Sequence, residues 1–456
     1  MTLKRIVITG VGAALAALAQ PLAGQGAAPN LTLGDALRIA RTHAYANRAA
    51  SATATAAAAT ATGALRGVLP GVSAEASVLR TNEPIAAFGF ALKQRGVSQA
   101  SFAPQALNHP SAITNVGTGL LLELPLANAD AWFGLRSARA AASAATASAQ
   151  WTASTVSENV IHAYFGAVVA TQLARTMADA ETAAREHVRS AELAATNGFV
   201  TSSDALLARV RAGDVTVQRI EAESRARLAR AGLATLLGVP ADTAVSLPEA
   251  LPTPTLVRAR LANAVESHTR GDVLAASEAR RAASLDLKRA QGALLPRING
   301  FARYDWNAPS RIGGGSPAWT IGAAASWSLF GGGRELADIR SAQARLYVAE
   351  AGADGAAAAA ELALRSTDEN VTVAFARAAI ADTAVDHAAE AMRIVRRKYD
   401  GGIAVISELL DAAAAHTQTR LMQADASYRL IAAIAARLRA RGADPAALAI
   451  LDPDLR

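Results

Sequence analysis

The chain contains no cysteine among its 456 residues. This absence excludes disulfide bonds, thiol nucleophiles and thiolate zinc sites, and also the attachment of lipid to an N-terminal cysteine. The seven histidines are scattered, and none stands in a His-Glu-x-x-His pattern or beside carboxylates at metal-ligand spacing. We therefore predict no catalytic residue, no cofactor and no metal site, and we do not expect an enzyme.

Aromatic residues are also scarce, at 4% of the chain, although 52% of the residues are hydrophobic. About a quarter of the chain is alanine, so methyl groups supply much of the apolar surface. Alanine has the highest helix propensity, and its small side chain lets helices approach closely. The composition therefore favours extended helical packing over a compact mixed α/β fold.

Positive charge is in modest excess, with 45 Lys and Arg against 38 Asp and Glu, a net charge of +7. A basic chain can bind nucleic acid, but such sites combine basic runs with aromatic residues. Here the arginines stand singly and alternate with acids, as around Glu221, Glu223 and Arg225. We predict solvated helix faces and no nucleic-acid partner.

The amino terminus allows two interpretations. Gly10 and Gly12 follow a short apolar run, as in a dinucleotide-binding turn, but Leu15 stands where the third glycine belongs. Lys4 and Arg5, followed by an apolar stretch and then small residues, are typical of a secretory signal peptide, which we place at 1–24. No later segment has 18 or more apolar residues in a row, so we expect no membrane-spanning helix.

The sequence also contains an internal duplication. Residues 135–140 resemble 339–344, and residues 198–206 resemble 402–410, both at an offset of about 204 residues, which predicts two similar halves rather than a short-repeat solenoid. We predict a first repeat at 25–240, a linker at 241–255, a second repeat at 256–445 and a C-terminal tail at 446–456. The first repeat carries an extra segment between residues 80 and 116.

Hydrophobic residues in steps of four and three predict coiled-coil helices. Met177, Ala184 and His187 belong to one such seam, and Leu206, Val210, Val217 and Ile220 belong to another. The longest helices are predicted at about 130–196 and 334–399, each about 100 Å long at about 1.5 Å per residue. Helices of about half that length are predicted near 33–66, 203–237, 256–293 and 407–441.

Four windows alternate between apolar and polar residues, near 71–81, 117–127, 297–307 and 318–330. Their length suits tilted strands that cross a bilayer. Four strands cannot close a barrel, and open edges are not tolerated in lipid, so a barrel would have to be shared between chains. Three chains would supply twelve strands. The alternative from the pattern alone is a soluble sheet of half-buried strands.

Short motifs stand where the predicted elements begin and end: residues 31–37 before the first helix, Leu69-Pro70 and Leu295-Pro296 where helices lead into strands, and residues 124–126 and 327–333 where strands lead into helices. The order of these motifs, together with the duplication and the helix lengths, resembles the TolC family of outer-membrane efflux proteins. The resemblance implies a mainly α fold with a small transmembrane β part, in which a long coiled-coil helical barrel continues into a trimeric, 12-stranded β-barrel.

The resemblance further implies a passive exit channel of a tripartite efflux or type I secretion system, located in the outer membrane of a Gram-negative bacterium with a long periplasmic extension. Its implied partners are two further copies of the chain, a periplasmic adaptor, an inner-membrane pump and outer-membrane lipid. The competing interpretation is a secreted or periplasmic coiled-coil structural protein.

By the same resemblance, the turns near 197–203 and 400–406 are periplasmic tips of helical hairpins. The implied adaptor-contacting residues are Gly198, Phe199, Val200, Gly402, Ile403 and Ala404. The implied aperture residues are Ser203, Asp204, Tyr399 and Glu408, with Ala404 where the family has an arginine. Structural roles remain open for the same residues: positive φ for the two glycines, helix caps and first-turn acids for Ser203-Asp204 and Ser407-Glu408, and packing for Tyr399.

Overall fold

The computed structural model describes residues 31–243, 245–261 and 269–451, so the predicted signal peptide at 1–24 lies outside the described residues. In chain order the elements are α1 (Leu33–His43), α2 (Tyr45–Gly63), β1 (Gly71–Thr81), α3 (Pro84–Lys93), α4 (Pro104–Asn108), β2 (Ile113–Ala127), α5 (Ala129–Thr196), α6 (Ser202–Leu236), α7 (Pro254–Leu261), α8 (Gly271–Gly292), β3 (Arg297–Ala308), β4 (Ser316–Ser326), α9 (Arg334–Asp400) and α10 (Ile406–Ala440).

Two very long helices dominate the fold. The α5 helix has 68 residues and α9 has 67, so each is about 100 Å long. The α6 helix packs along α5, α10 packs along α9, and α8 lies against both long helices. The expected fold class, mainly helical with four antiparallel strands per chain, is confirmed.

The strands form one antiparallel sheet in the order β1-β2-β3-β4. Val72 pairs with Leu122, Leu122 with Ala302, and Ala302 with Ile321. Paired residues point to the same side of a sheet, so these side chains define an apolar face. The apolar face also carries Val78, Leu120, Tyr304, Trp306 and Trp319, and the opposite, polar face carries Glu75, Ser77, Glu123, Arg303, Asp305 and Thr320.

Two strands differ in extent from the alternating windows. The β2 strand begins at Ile113 rather than near residue 117, and β4 ends at Ser326 rather than near residue 330. The end of β4 has a local cause, because the indole Nε1 of Trp327 donates a hydrogen bond to the carbonyl of Leu294 at 2.9 Å. The chain therefore leaves the sheet at Trp327, although its alternation continues.

The expected single helix over 33–66 is wrong, because α1 and α2 are separated at Ala44, where ψ is 129°. The carbonyl oxygen of His43 approaches Gly238 so closely that a Cβ on Gly238 would lie 2.3 Å from it. The side chain of Asn47 then donates to the carbonyl of Ala40 at 3.0 Å across the break. Packing against the end of α6 therefore decides where α1 stops.

The main hydrophobic core lies where α1, α5, α6, α7, α9 and α10 meet the C-terminal 3-10 turn. Leu33, Tyr164, Leu233, Leu430 and Leu448 are fully or almost fully buried there. The hydroxyl of Tyr164 donates to the carbonyl of Leu31 at 2.8 Å, which satisfies the only polar group of that ring. This core joins the two halves of the chain about midway along the long helices.

The expected helix at 256–293 corresponds to α7 and α8, and the residues between them, 262–268, lie outside the described ranges. Over the described parts of the chain, no helix is both long enough and apolar enough to cross a membrane.

Candidate functional site

The turn between α5 and α6 is shaped by one glycine. Gly198 has a φ of +76°, and the amide of Phe199 donates to the carbonyl of Ala194 at 2.9 Å. This is a glycine-terminated helix end in the Schellman arrangement. A Cβ on Gly198 would meet nothing within 4 Å, so glycine is needed here for its backbone conformation and not for space.

The turn between α9 and α10 repeats this geometry. Gly402 has a φ of +72°, and the amide of Ile403 donates to the carbonyl of Lys398 at 2.8 Å. Each turn leaves one large apolar side chain in solvent, since Phe199 is 83% exposed and Ile403 is 80% exposed. Val200 is half-buried, whereas Ala404 is buried within the chain.

The interpretation of Ser203 and Ser407 as helix caps is wrong. The cap of α6 is Thr201, whose Oγ1 accepts from the amide of Asp204 at 3.3 Å, while Oδ2 of Asp204 accepts from the amide of Thr201 at 3.0 Å. Asp204 therefore occupies the third helical position of a capping box. The cap of α10 is Val405, which makes no side-chain cap.

The two turns are held side by side by a small apolar cluster. Buried residues from α5, α6 and α10 form it, and Tyr399 packs against its edge from α9; the buried members are Ala191, Ala205, Ala208, Ile406, Leu409 and Leu410. Burial raises the pKa of Tyr399, and the negative charges of Asp204 and Asp400 raise it further. The structure thus brings Asp204 of the first turn close to Tyr399 of the second, while Ser203 and Glu408 are exposed.

A cavity of about 470 Å³ lies beyond this cluster, where α5 forms the floor and α6 and α10 form the walls. Met177, Ala184 and His187 belong to the floor, and Asp214 and Asp411 lie on opposite walls. Met177, Ala184 and His187 are buried, as the predicted helical seam requires. The sequence gives no signal for the cavity itself, because its walls come from helices far apart in the chain.

His187 is the buried polar residue of that floor. Desolvation lowers the pKa of its imidazole, the positive charge of Arg396 lowers it further, and Asp400 and Glu186 act in the opposite direction. Its Nε2 atom has no hydrogen-bond partner among the described residues. Within the same residues, no group of three or more His, Asp or Glu side chains could hold a metal ion.

The polar face of the sheet carries an ion-pair network. Arg303 pairs with Asp305 at 2.8 Å and with Glu75 at 3.4 Å. Gly119 lies beneath this network, and a Cβ there would come within 2.4 Å of Oδ1 of Asp305. Arg303 therefore pairs with an acid on its own strand and with an acid on β1, on the face of the sheet opposite the apolar one.

Comparison with known proteins adds sequence and fold evidence. Residues 267–441 match the family model described as "Outer membrane efflux protein". No curated protein matches the chain in sequence.

Several solved structures have the same fold. The outer membrane protein VceC from Vibrio cholerae is 20% identical, with a TM-score of 0.75 over 90% of this chain and 96% of its own. The CmeC outer membrane channel of Campylobacter jejuni is 18% identical, with a TM-score of 0.73 over 90% of this chain and 85% of its own. The open state of the Neisseria gonorrhoeae MtrE outer membrane channel is 17% identical, with a TM-score of 0.72 over 91% of this chain and 89% of its own.

Proposed function

We propose that the chain is a member of the TolC-like family of outer membrane efflux proteins, whose model residues 267–441 match, and that three copies of it form a passive exit channel of a tripartite efflux or type I secretion system. The channel hydrolyses nothing, and an inner-membrane pump supplies the energy. The strands of the three copies join into one 12-stranded barrel in the outer membrane, and the long helices continue as a tunnel in the periplasm.

The observation that carries this proposal is the two-faced sheet. One face is apolar with Tyr304, Trp306 and Trp319, as the lipid side of a membrane strand requires, and the other is polar, as a water-filled lumen requires. In the described chain β1 and β4 each have one unpaired edge. Such edges need a partner in lipid, and a neighbouring copy of the chain supplies it.

The turns support docking of a periplasmic adaptor. Phe199 and Ile403 expose large apolar side chains at the ends of two neighbouring helical hairpins, where a partner protein can cover them. Gly198, Val200 and Gly402 shape this surface. Ala404 is buried, so an adaptor would meet the neighbouring Ile403 instead.

The aperture assignment places Asp204, Glu408, Tyr399 and Ser203 around the periplasmic mouth. Threefold assembly would set three copies of each acid around one opening, and a ring of carboxylates attracts cations and repels anions. Ala404 contributes no cation there. The mouth is therefore expected to prefer cations.

Single-channel recording tests the aperture. Asp204→Asn with Glu408→Gln removes both charges while the Asn side chain can still accept the capping hydrogen bond, and we expect weaker cation selectivity. Asp354→Asn, an exposed acid on α9, is the matched control. Unchanged selectivity in the double variant would show that these acids do not line the mouth.

Negative-stain imaging of the detergent-solubilised protein tests the channel itself. We expect a threefold tube with a shaft of about 100 Å, the length of α5 and α9. Isolated rods without threefold symmetry, from protein that fractionates entirely with the soluble periplasm, would instead indicate a coiled-coil structural protein.

A further inference from the structure

An apolar notch lies where the sheet meets the helices. Its volume is about 670 Å³, and it is lined by residues from the helix-to-strand entries and from the start of α5, among them Val68, Leu126, Trp132, Phe133, Leu295 and Ile298. Leu126, Trp132 and Leu295 are each more than half exposed. Exposed apolar side chains gathered in one concave site indicate a ligand or partner that covers them.

The notch continues the apolar face of the sheet. Ile298 belongs to that face through its pairing with Ala325, and Leu126 lies over Gly300, where a Cβ would be 3.4 Å from Cδ1 of Leu126. In the proposed channel this face is the lipid side. The notch is therefore a recess in the lipid-facing surface at its periplasmic rim, within reach of the inner leaflet.

A basic groove of about 580 Å³ lies between α5, α8 and α9. It is lined by four basic and two acidic side chains: Arg136, Arg280, Arg281, Lys288, Glu278 and Glu350. Arg281 is neutralised by Glu278 at 3.5 Å. Among the described residues that line the groove, Arg136, Arg280 and Lys288 have no ion-pair partner, and all three are exposed.

The notch and the basic groove are close enough together for a single phospholipid to contact both. Arg136 follows Trp132 by four residues on α5, so both side chains lie on the same face, about 6 Å apart along the axis. A glycerophospholipid has its phosphate about this far from the start of its acyl chains. The basic groove thus lies at headgroup depth when an acyl chain occupies the notch.

We propose that this junction binds one anionic glycerophospholipid of the inner leaflet per chain, with an acyl chain in the notch and the phosphate at Arg136 and Lys288. The inference rests on the proposed membrane channel. It also gives some of the arginine excess a physical role, since unpaired basic residues near a membrane surface attract anionic lipid. The bound lipid would anchor the rim of a chain that has no cysteine for a covalent lipid.

Native mass spectrometry of the delipidated, full-length protein in detergent tests the site, with phosphatidylglycerol, phosphatidylcholine of the same chains, and inorganic phosphate as probes. We expect one phosphatidylglycerol per chain, bound at least about tenfold more tightly than phosphatidylcholine. Arg136→Gln with Lys288→Gln should abolish that preference, whereas Trp132→Ala should weaken the binding of both lipids.

The matched control is Arg340→Gln. Arg340 is the counterpart of Arg136 in the duplication, and it is exposed near the start of α9 but lines neither the notch nor the groove. Equal binding of the two lipids, inorganic phosphate bound as tightly as the lipid, an unaffected double variant, or an equal loss in Arg340→Gln would each overturn the lipid site.

The same spectra count the chains in each particle. A three-chain particle without lipid preference would overturn this inference alone. Wild-type protein that is neither three-chain nor found in the outer membrane would overturn the proposed channel, and the lipid site with it.

Discussion

At the scale of single residues, Gly198 is the clearest case of a conformational requirement. Its φ of +76° disfavours any residue with a Cβ, although there is open space around it. We expect Gly198→Ala to destabilise the protein by about 1–2 kcal/mol, the penalty for left-handed backbone. Thermal unfolding measures the effect.

The control for that substitution is Gly232→Ala, in a helical part of α6 that also has open space around it. There alanine should stabilise the protein by up to about 1 kcal/mol, because glycine is the poorer helix former. Opposite signs at the two positions are the expected result, and equal effects would contradict the conformational explanation.

His187 makes stability depend on pH in a predictable direction. Burial and Arg396 hold the pKa of its imidazole below the ordinary value of 6.5, so the unfolded chain takes up a proton more readily than the folded one. The contribution to stability is complete above about pH 6.5 and is lost as the pH falls below it. We expect the thermal midpoint of the wild type to fall more between about pH 7.5 and about pH 5.5 than that of His187→Gln.

The measurement compares thermal melts of both proteins at the two pH values. Asp400 and Glu186 favour the protonated ring, and they oppose but do not cancel the shift. His43, which is exposed at the end of α1, serves as the control through His43→Gln. Parallel pH dependence of wild type and His187→Gln would contradict the expected role of the buried ring.

At the scale of elements, the two turns differ in how their second helices begin. The α6 helix starts with the Thr201–Asp204 capping box, whereas α10 starts at Val405 without a side-chain cap. We expect Thr201→Ala to cost about 1 kcal/mol of stability. Val405→Thr should add up to about 1 kcal/mol, because Glu408 already stands at the third helical position and completes a second capping box.

Unfolding by heat or denaturant measures both caps. Val405→Ala shortens the same side chain without adding a hydroxyl, so it separates the hydrogen bond from changes in packing. A Val405→Thr protein no more stable than Val405→Ala would exclude a capping effect at α10.

The same elements show what sequence patterns can and cannot predict. The bounds of α5 and α9 follow from heptad spacing between glycine and proline signals, which act locally. The Thr201 cap has a readable Thr-x-x-Asp pattern, but Ser203, directly before Asp204, is also a residue type that favours the cap position. The break at Ala44 is different, since it depends on contact between His43 and Gly238, about two hundred residues apart in sequence.

The candidate site also has parts that the sequence can predict and parts that it cannot. The two glycine turns with Asp204 and Glu408 could be selected from the duplication, and Tyr399 from the family resemblance. The cavity around His187 and the notch around Trp132 could not, because each is assembled from three or more segments that only the fold brings together.

At the scale of the whole molecule, the second predicted seam supports assembly. Leu206, Val210, Val217 and Ile220 form a stripe on α6, yet each is more than half exposed in the single chain. In the proposed trimer this stripe packs against a neighbouring copy. We expect Val210→Asp with Val217→Asp to separate the copies while each chain keeps its helical content, since full burial of such a side chain contributes about 1.5–3 kcal/mol.

Light scattering coupled to gel filtration reports the number of chains, and circular dichroism reports the helix. Gln218→Asp, exposed and one residue off the stripe, is the control and should leave the assembly intact. A three-chain particle that survives the double substitution would place the interface elsewhere.

The sheet has one consequence for stoichiometry. With four strands in the order β1-β2-β3-β4, β1 and β4 of one chain run in opposite directions. Because rotation about a common axis preserves strand direction, β4 of one copy meets β1 of the next in antiparallel pairing, whatever the number of copies. Strand pairing therefore allows any number of copies in the ring, and the packing of the long helices has to set that number. A variant of the helical shaft could thus change the size of the assembly without a single change in the strands.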